Sequence, residues 1–170
     1  MPWEVQSRRL LVWGALALAF FAGEAAAQVP DIDLGPSSDP QLFVQGFEEL
    51  GGHLPPPNVF GNNQATVTQD GSNNNAIVKQ YGGYNDVRAS QTGNGNVAAL
   101  VQFGVYNSIT LTQVGNANEA LIGQAGLNNN ATVAQIGMGN LAYILQIGNG
   151  LNVSVTQNGD NQLARVVQRN

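Results

Sequence analysis

The chain has 170 residues, a formal net charge of −5, one histidine and no cysteine, which excludes disulfide staples and cysteine zinc sites. Charged residues make up 10% of it, far below the roughly 25% of an ordinary soluble domain. With 21 glycines and abundant Asn and Gln, the composition belongs to the polar, low-charge class that stacks as β-structure.

In chain order, residues 1–27 read as a cleaved export signal. Arg8 and Arg9 form the basic region, Leu10 to Ala22 the apolar stretch, and Ala25, Ala26 and Ala27 the small-residue exit. The string "SRRLL" also echoes a twin-arginine signal, although basic pairs are ordinary in general secretory signals. No other segment is apolar over a length that crosses a bilayer.

Residues 28–60 carry Asp31, Asp33, Asp39, Glu48 and Glu49, six prolines and no basic residue. A segment so acidic and rich in proline cannot easily pack a core and is expected to be a disordered leader. The only histidine, His53, lies here, so general acid–base catalysis has little to work with and the chain reads as a non-enzyme.

Residues 61–170 contain no proline, and four acids (Asp70, Asp86, Glu119, Asp160) balance four bases (Lys79, Arg88, Arg165, Arg169). The net negative charge therefore sits in the leader, and this segment lacks the self-repulsion that keeps chains apart. Glutamine recurs every eleventh residue, at Gln69, Gln80, Gln91, Gln102, Gln113, Gln124, Gln135, Gln146, Gln157 and Gln168. Two residues after the first nine come Gly71, Gly82, Gly93, Gly104, Gly115, Gly126, Gly137, Gly148 and Gly159. Six residues before the first eight stand Asn63, Asn74, Asn85, Asn96, Asn107, Asn118, Asn129 and Asn140, with Leu151 and Gln162 as the two departures.

The residues four and two before each glutamine are apolar, from Ala65/Val67 through Ala164/Val166. Period two indicates strand. The constant small apolar residues and the glutamine are assigned to an inner face, and the variable residues between them, which include every strand cation, to an outer one. Eleven residues thus spell a strand of about six and a turn of about five, in which glycine supplies positive φ and asparagine tolerates the left-handed region. Two units make one coil. The expected fold is all-β: a β-solenoid of five 22-residue strand-turn-strand rungs in two stacked parallel sheets, with cross-β, amyloid-forming character.

An inward glutamine is costly unless both ends of its amide are hydrogen-bonded. Identical amides one rung apart satisfy one another, so the exact period predicts a glutamine ladder, with a parallel asparagine ladder at the turns. The repeats run to Gln168, and the acidic leader is a poor cap, so both ends are expected to accept another copy head to tail. That makes a self-assembling extracellular fibre subunit the leading functional reading. A capped, monomeric surface-binding solenoid adhesin is the alternative from another class. Only Asp70 and Asp160 occupy turn positions comparable to calcium-binding solenoids, so no metal site or cofactor is expected. The threonine rows of an ice-binding face are interrupted by Ile77/Lys79 and Arg88/Ser90. Four bases spread over the repeats give no nucleic-acid track.

The strings "NQATVTQDGSNN", "NEALIGQAGLNNNATVAQIGMGN" and "NGDNQLARVVQRN" resemble the curlin repeat of bacterial curli fibres, over Asn63 to Asn170. The resemblance implies an exported subunit, passed through a dedicated outer-membrane pore with accessory factors. It would assemble with a second curlin subunit into adhesive biofilm fibres on host or abiotic surfaces. Residues 28–60 occupy the place of the family's secretion-directing segment. Equal half-repeats, the string "ALIGQAG" and the basic ending "ARVVQRN" look more like the minor, nucleating subunit than the major one. In that reading Arg165 and Arg169 are candidates for surface attachment, while the plainer reading makes them solvated strand charges.

Overall fold

Alternating side chains, β-branched enrichment and the absence of proline from Gly61 onward favour extended backbone over helix. The computed structural model describes Pro40, Gln41, Val44 and residues 61–170, and the latter form ten strands. They are β1 (Gln64–Ser72), β2 (Asn75–Gly83), β3 (Asp86–Asn94), β4 (Val97–Val105), β5 (Ser108–Asn116), β6 (Glu119–Leu127), β7 (Asn130–Met138), β8 (Leu141–Asn149), β9 (Asn152–Asn158) and β10 (Leu163–Arg169). The export signal over 1–27 and most of the leader lie outside the described residues.

Odd strands form one sheet in the order β1-β3-β5-β7-β9, and even strands a second in the order β10-β8-β6-β4-β2. Neighbours run parallel, with each residue opposite the one 22 positions on, as in Gln69↔Gln91 and Gln80↔Gln102. The protein is therefore a five-turn β-solenoid with two strands per turn. Its core is the seam between the sheets, where Val87, Leu100, Ile109, Leu111, Ile122 and Ile144 are at most 1% exposed. Alanines such as Ala98, Ala120 and Ala142 fill the narrow remainder at 0% exposure.

The strands are longer than the six residues expected, at nine residues from β1 to β8. The reason is that the ladder does not stop at the glycine: residues of each turn also pair with their counterparts one rung away. Asn75 N donates to Asn96 O at 2.8 Å and Gly95 N to Ser72 O at 2.9 Å, for example. Glycine and asparagine take positive φ in the turns as expected, and the left-handed position proper falls on the residue just before each ladder asparagine or its replacements Leu151 and Gln162, filled by Asn62, Asn73, Tyr84, Gly95, Tyr106, Ala117, Asn128, Gly139, Gly150 and Asn161. Glycine and asparagine adopt this conformation readily, and Tyr84 and Tyr106 stack on each other at 5.0 Å. Ala117, at φ 53°, has neither advantage. Ala117→Gly is expected to stabilise the fold by about 1 kcal/mol, read as a higher denaturant midpoint at unchanged slope.

The outer faces also depart from the sequence expectation. On the odd sheet, outward residues such as Thr66, Arg88, Thr132 and Ser154 are exposed. On the even sheet, Ala99, Val101, Leu121, Tyr143 and Leu145 are buried. Variable positions thus make one polar face, open to solvent, and one apolar face that is buried over its middle rungs. Because Ile77 and Lys79 belong to the even sheet, Arg88/Ser90 is what interrupts the threonine rows of the odd one.

Candidate functional site

Each sheet carries one column of glutamines at the seam. In the odd column, Nε2 of Gln69, Gln91, Gln113 and Gln135 donates to Oε1 of the glutamine one rung on, at 2.6, 2.8, 2.8 and 2.9 Å. In the even column, Gln80, Gln102, Gln124 and Gln146 do the same at 3.0, 2.9, 2.8 and 2.8 Å. Every donor points toward the C-terminal rung. The second amide hydrogen crosses the seam to the opening residue of the preceding strand: Gln102 to Asp86 O at 3.2 Å, Gln113 to Val97 O at 3.0 Å, Gln124 to Ser108 O at 3.0 Å. The glutamines from Gln91 through Gln146 are 0% exposed, and these contacts satisfy both ends of each amide. They hold rung to rung and sheet to sheet with one side chain.

The asparagines form two further columns, at the two turns, and these run the opposite way. Nδ2 and the backbone N–H of Asn85, Asn96, Asn107, Asn118 and Asn140 reach Oδ1 of the asparagine one rung toward the N terminus, with Nδ2 distances of 3.2, 3.1, 3.1, 3.1 and 3.0 Å. Asn129 uses its backbone N–H alone, at 3.1 Å. Nδ2 also donates to a glycine carbonyl in the next strand but one of the register, as Asn96 does to Gly115 O at 2.9 Å. At the two departures the backbone bond survives: Leu151 N reaches Asn129 Oδ1 at 3.0 Å and Gln162 N reaches Asn140 Oδ1 at 3.0 Å. Leucine ends its column there, whereas Gln162 Nε2 still finds Asn158 O at 3.2 Å.

The turn glycines stack as well. All nine have φ between 103° and 139°. A Cβ on Gly71, Gly93, Gly104 or Gly115 would stand 2.0 Å from the carbonyl oxygen of the glycine one rung on. Positive φ was legible in the sequence; this backbone-on-backbone stacking was not, although an unbroken run of nine glycines is its signal.

The ends of the stack expose matching chemistry. Among the described residues nothing donates to Oε1 of Gln69 or Gln80, at the β1/β2 end. At the β9/β10 end, Gln157 and Gln168 use Nε2 only toward backbone carbonyls. Strand β1 is exposed along its whole length, and in β10 Leu163 is 72% exposed. Arg165 and Arg169 lie exposed on β10, with the Arg165 guanidinium 5.8 Å from the Tyr143 ring centroid. Burial holds the Tyr143 hydroxyl above its ordinary pKa, and the two cations partly offset that. The ion pair Asp86–Arg88 sits on the open odd face.

Glu119 opens β6 in register with the apolar Val97 and Leu141. Its Oε1 is buried without a hydrogen-bond partner among the described residues, and burial raises its pKa above the usual carboxylate range. The folded state therefore binds that proton more tightly than the unfolded one. The stabilisation is full below the ordinary glutamate pKa and is lost as pH rises through the raised value. Urea midpoints of the native chain should fall across this window, whereas those of Glu119→Gln should stay flatter.

Compared with known proteins, the chain matches the family model of the curlin associated repeat four times, over residues 61–93, 85–115, 107–137 and 128–159. No curated protein and no solved structure matches it.

Proposed function

The chain belongs to the curlin associated repeat family, and from that membership we propose that it is a structural subunit of curli-type fibres that grow by stacking the β9/β10 end of one copy on the β1/β2 end of the next. The observation that carries this reading is the polarity of the glutamine columns. One end offers the amide oxygens of Gln69 and Gln80; at the other, Gln168 has an amide hydrogen to spare, and Gln157 stands as Gln135 does, whose Nε2 reaches two carbonyls and the next glutamine, with parallel strand edges beside both. A second copy placed one rung beyond would continue both columns from Gln157 to Gln69 and from Gln168 to Gln80.

The wider reading places the subunit outside the cell, exported by the signal over 1–27 and passed through an outer-membrane pore with accessory factors. It co-assembles with a second curlin subunit and adheres to host or abiotic surfaces. A minor, nucleating role is the finer part of the proposal. It is supported by the placement of Arg165 and Arg169 on the exposed β10, where they can meet a surface.

Gln69→Leu/Gln80→Leu tests the junction, because it removes both terminal acceptors while touching one rung. Losing two interchain hydrogen bonds at about 1 kcal/mol each should raise the critical concentration for fibre growth roughly tenfold or more. An unchanged critical concentration would sink the junction. Native chain that elutes as one stable monomer and gives no cross-β diffraction would sink the fibre reading and leave the adhesin.

A further inference from the structure

The even sheet has a second apolar surface on the side away from the core. Ala99, Val101, Leu121, Tyr143 and Leu145 form a cluster there, all at most 8% exposed. Their counterparts on the odd sheet are exposed or half-exposed, and all but Ala134 are polar. Both faces belong to the same stack with the same backbone, so the strands themselves do not bury one and bare the other. Something on the even side covers it. Among the described residues, the one member of that cluster from outside the repeats is Val44, 1% exposed, in the leader. Pro40, Gln41 and Val44 are helical and belong to the same compact unit as the repeats.

We propose that the leader segment carrying Pro40, Gln41 and Val44 is an intramolecular cover for the outer face of the even sheet, with Val44 as its anchor. A bare apolar sheet face invites a second sheet to pack on it at about 10 Å. With the leader in place, that lateral surface is occupied by the chain itself, and the solenoid presents only its two ends for growth. Charge suits this division. Asp39, Glu48 and Glu49 flank the described leader residues in sequence, so a docked leader brings net negative charge to the side it covers, which repels the same side of another copy. The inference does not depend on fibre growth, since it concerns contacts within one chain.

A diazirine-bearing aliphatic residue at position 44 of the full-length mature chain, photolysed in dilute freshly refolded protein, reads the contact directly. With light and heavy isotope copies mixed, cross-links are expected within one chain and on the even sheet, at residues around Val101 and Leu145. Cross-links to the odd face, to the other isotope copy, or to solvent alone would overturn the proposal. A second readout uses Val44→Asp, which places a charge where the anchor packs and leaves every repeat residue intact. Binding of an anilinonaphthalene sulfonate dye should rise roughly twofold or more as the face opens, and filaments should associate side by side. Unchanged dye binding with single, unbundled filaments would count against the cover.

Discussion

Alanine at Gly115 is expected to cripple both folding and fibre growth, although it adds a single methyl group. The position has φ +120°, and the new Cβ would meet Gly137 O at 2.0 Å and Gly137 C at 2.9 Å. Neither partner can retreat. Gly115 and Gly137 are paired across β5 and β7, and their carbonyls accept from Asn96 and Asn118 Nδ2, each at 2.9 Å. Backbone strain of about 1–3 kcal/mol and overpacking of about 1–3 kcal/mol add to a loss of about 2–6 kcal/mol, a large part of the roughly 5–15 kcal/mol available to a domain. Gly150→Ala is the matched control. Its φ is +68° and nothing lies within 4 Å of the added Cβ, so it should cost only about 1 kcal/mol. Urea midpoints and the lag of thioflavin fluorescence would check the pair. Equal effects at the two positions would mean that glycine recurs for its backbone freedom alone.

That contrast also shows what the sequence could and could not disclose. An eleven-residue spacing of glutamine and glycine fixes strand period, inner face and rung count, because each property follows from side-chain alternation along one strand. Relations between strands are harder to read. Splitting the outer positions by alternate repeats separates Thr66, Arg88, Thr110, Thr132 and Ser154 from Ile77, Ala99, Leu121, Tyr143 and Arg165; taken every eleven residues, the two sets blur into one variable face. The true translational period is 22 residues, set by the sheets rather than by the half-repeat. The opposed directions of the glutamine and asparagine columns were not legible at all. A period specifies which residues stack, while the amide orientation depends on which backbone carbonyls lie within reach. Val44 was illegible for a different reason: one buried valine in a polar, proline-rich segment leaves no periodic trace.

Replacing Gln113 with leucine should be costly although volume is nearly kept, because its hydrogen bonds are removed. Gln113 is 0% exposed. It accepts from Gln91 at 2.8 Å, donates to Gln135 at 2.8 Å and donates across the seam to Val97 O at 3.0 Å. Leucine leaves an amide hydrogen, an amide oxygen and a backbone carbonyl unpaired beside a seam that water does not enter. At about 1–3 kcal/mol for each of the three orphaned groups the loss is about 3–9 kcal/mol, against less than about 1.5 kcal/mol for a volume-conserving swap such as Ile122→Leu. Gln69→Leu, on the exposed β1, removes one such bond where water can replace it, and should cost about 1 kcal/mol or less. Stability should therefore fall steeply for substitutions in the middle rungs and little at the ends, while growth rates show the reverse sensitivity at Gln69 and Gln80. Hydrogen exchange and urea unfolding across the ten glutamine positions would measure the profile. A flat profile of small costs would mean that the amides mark strand positions without joining the rungs, and the continuity proposed from one molecule to the next would lose its basis.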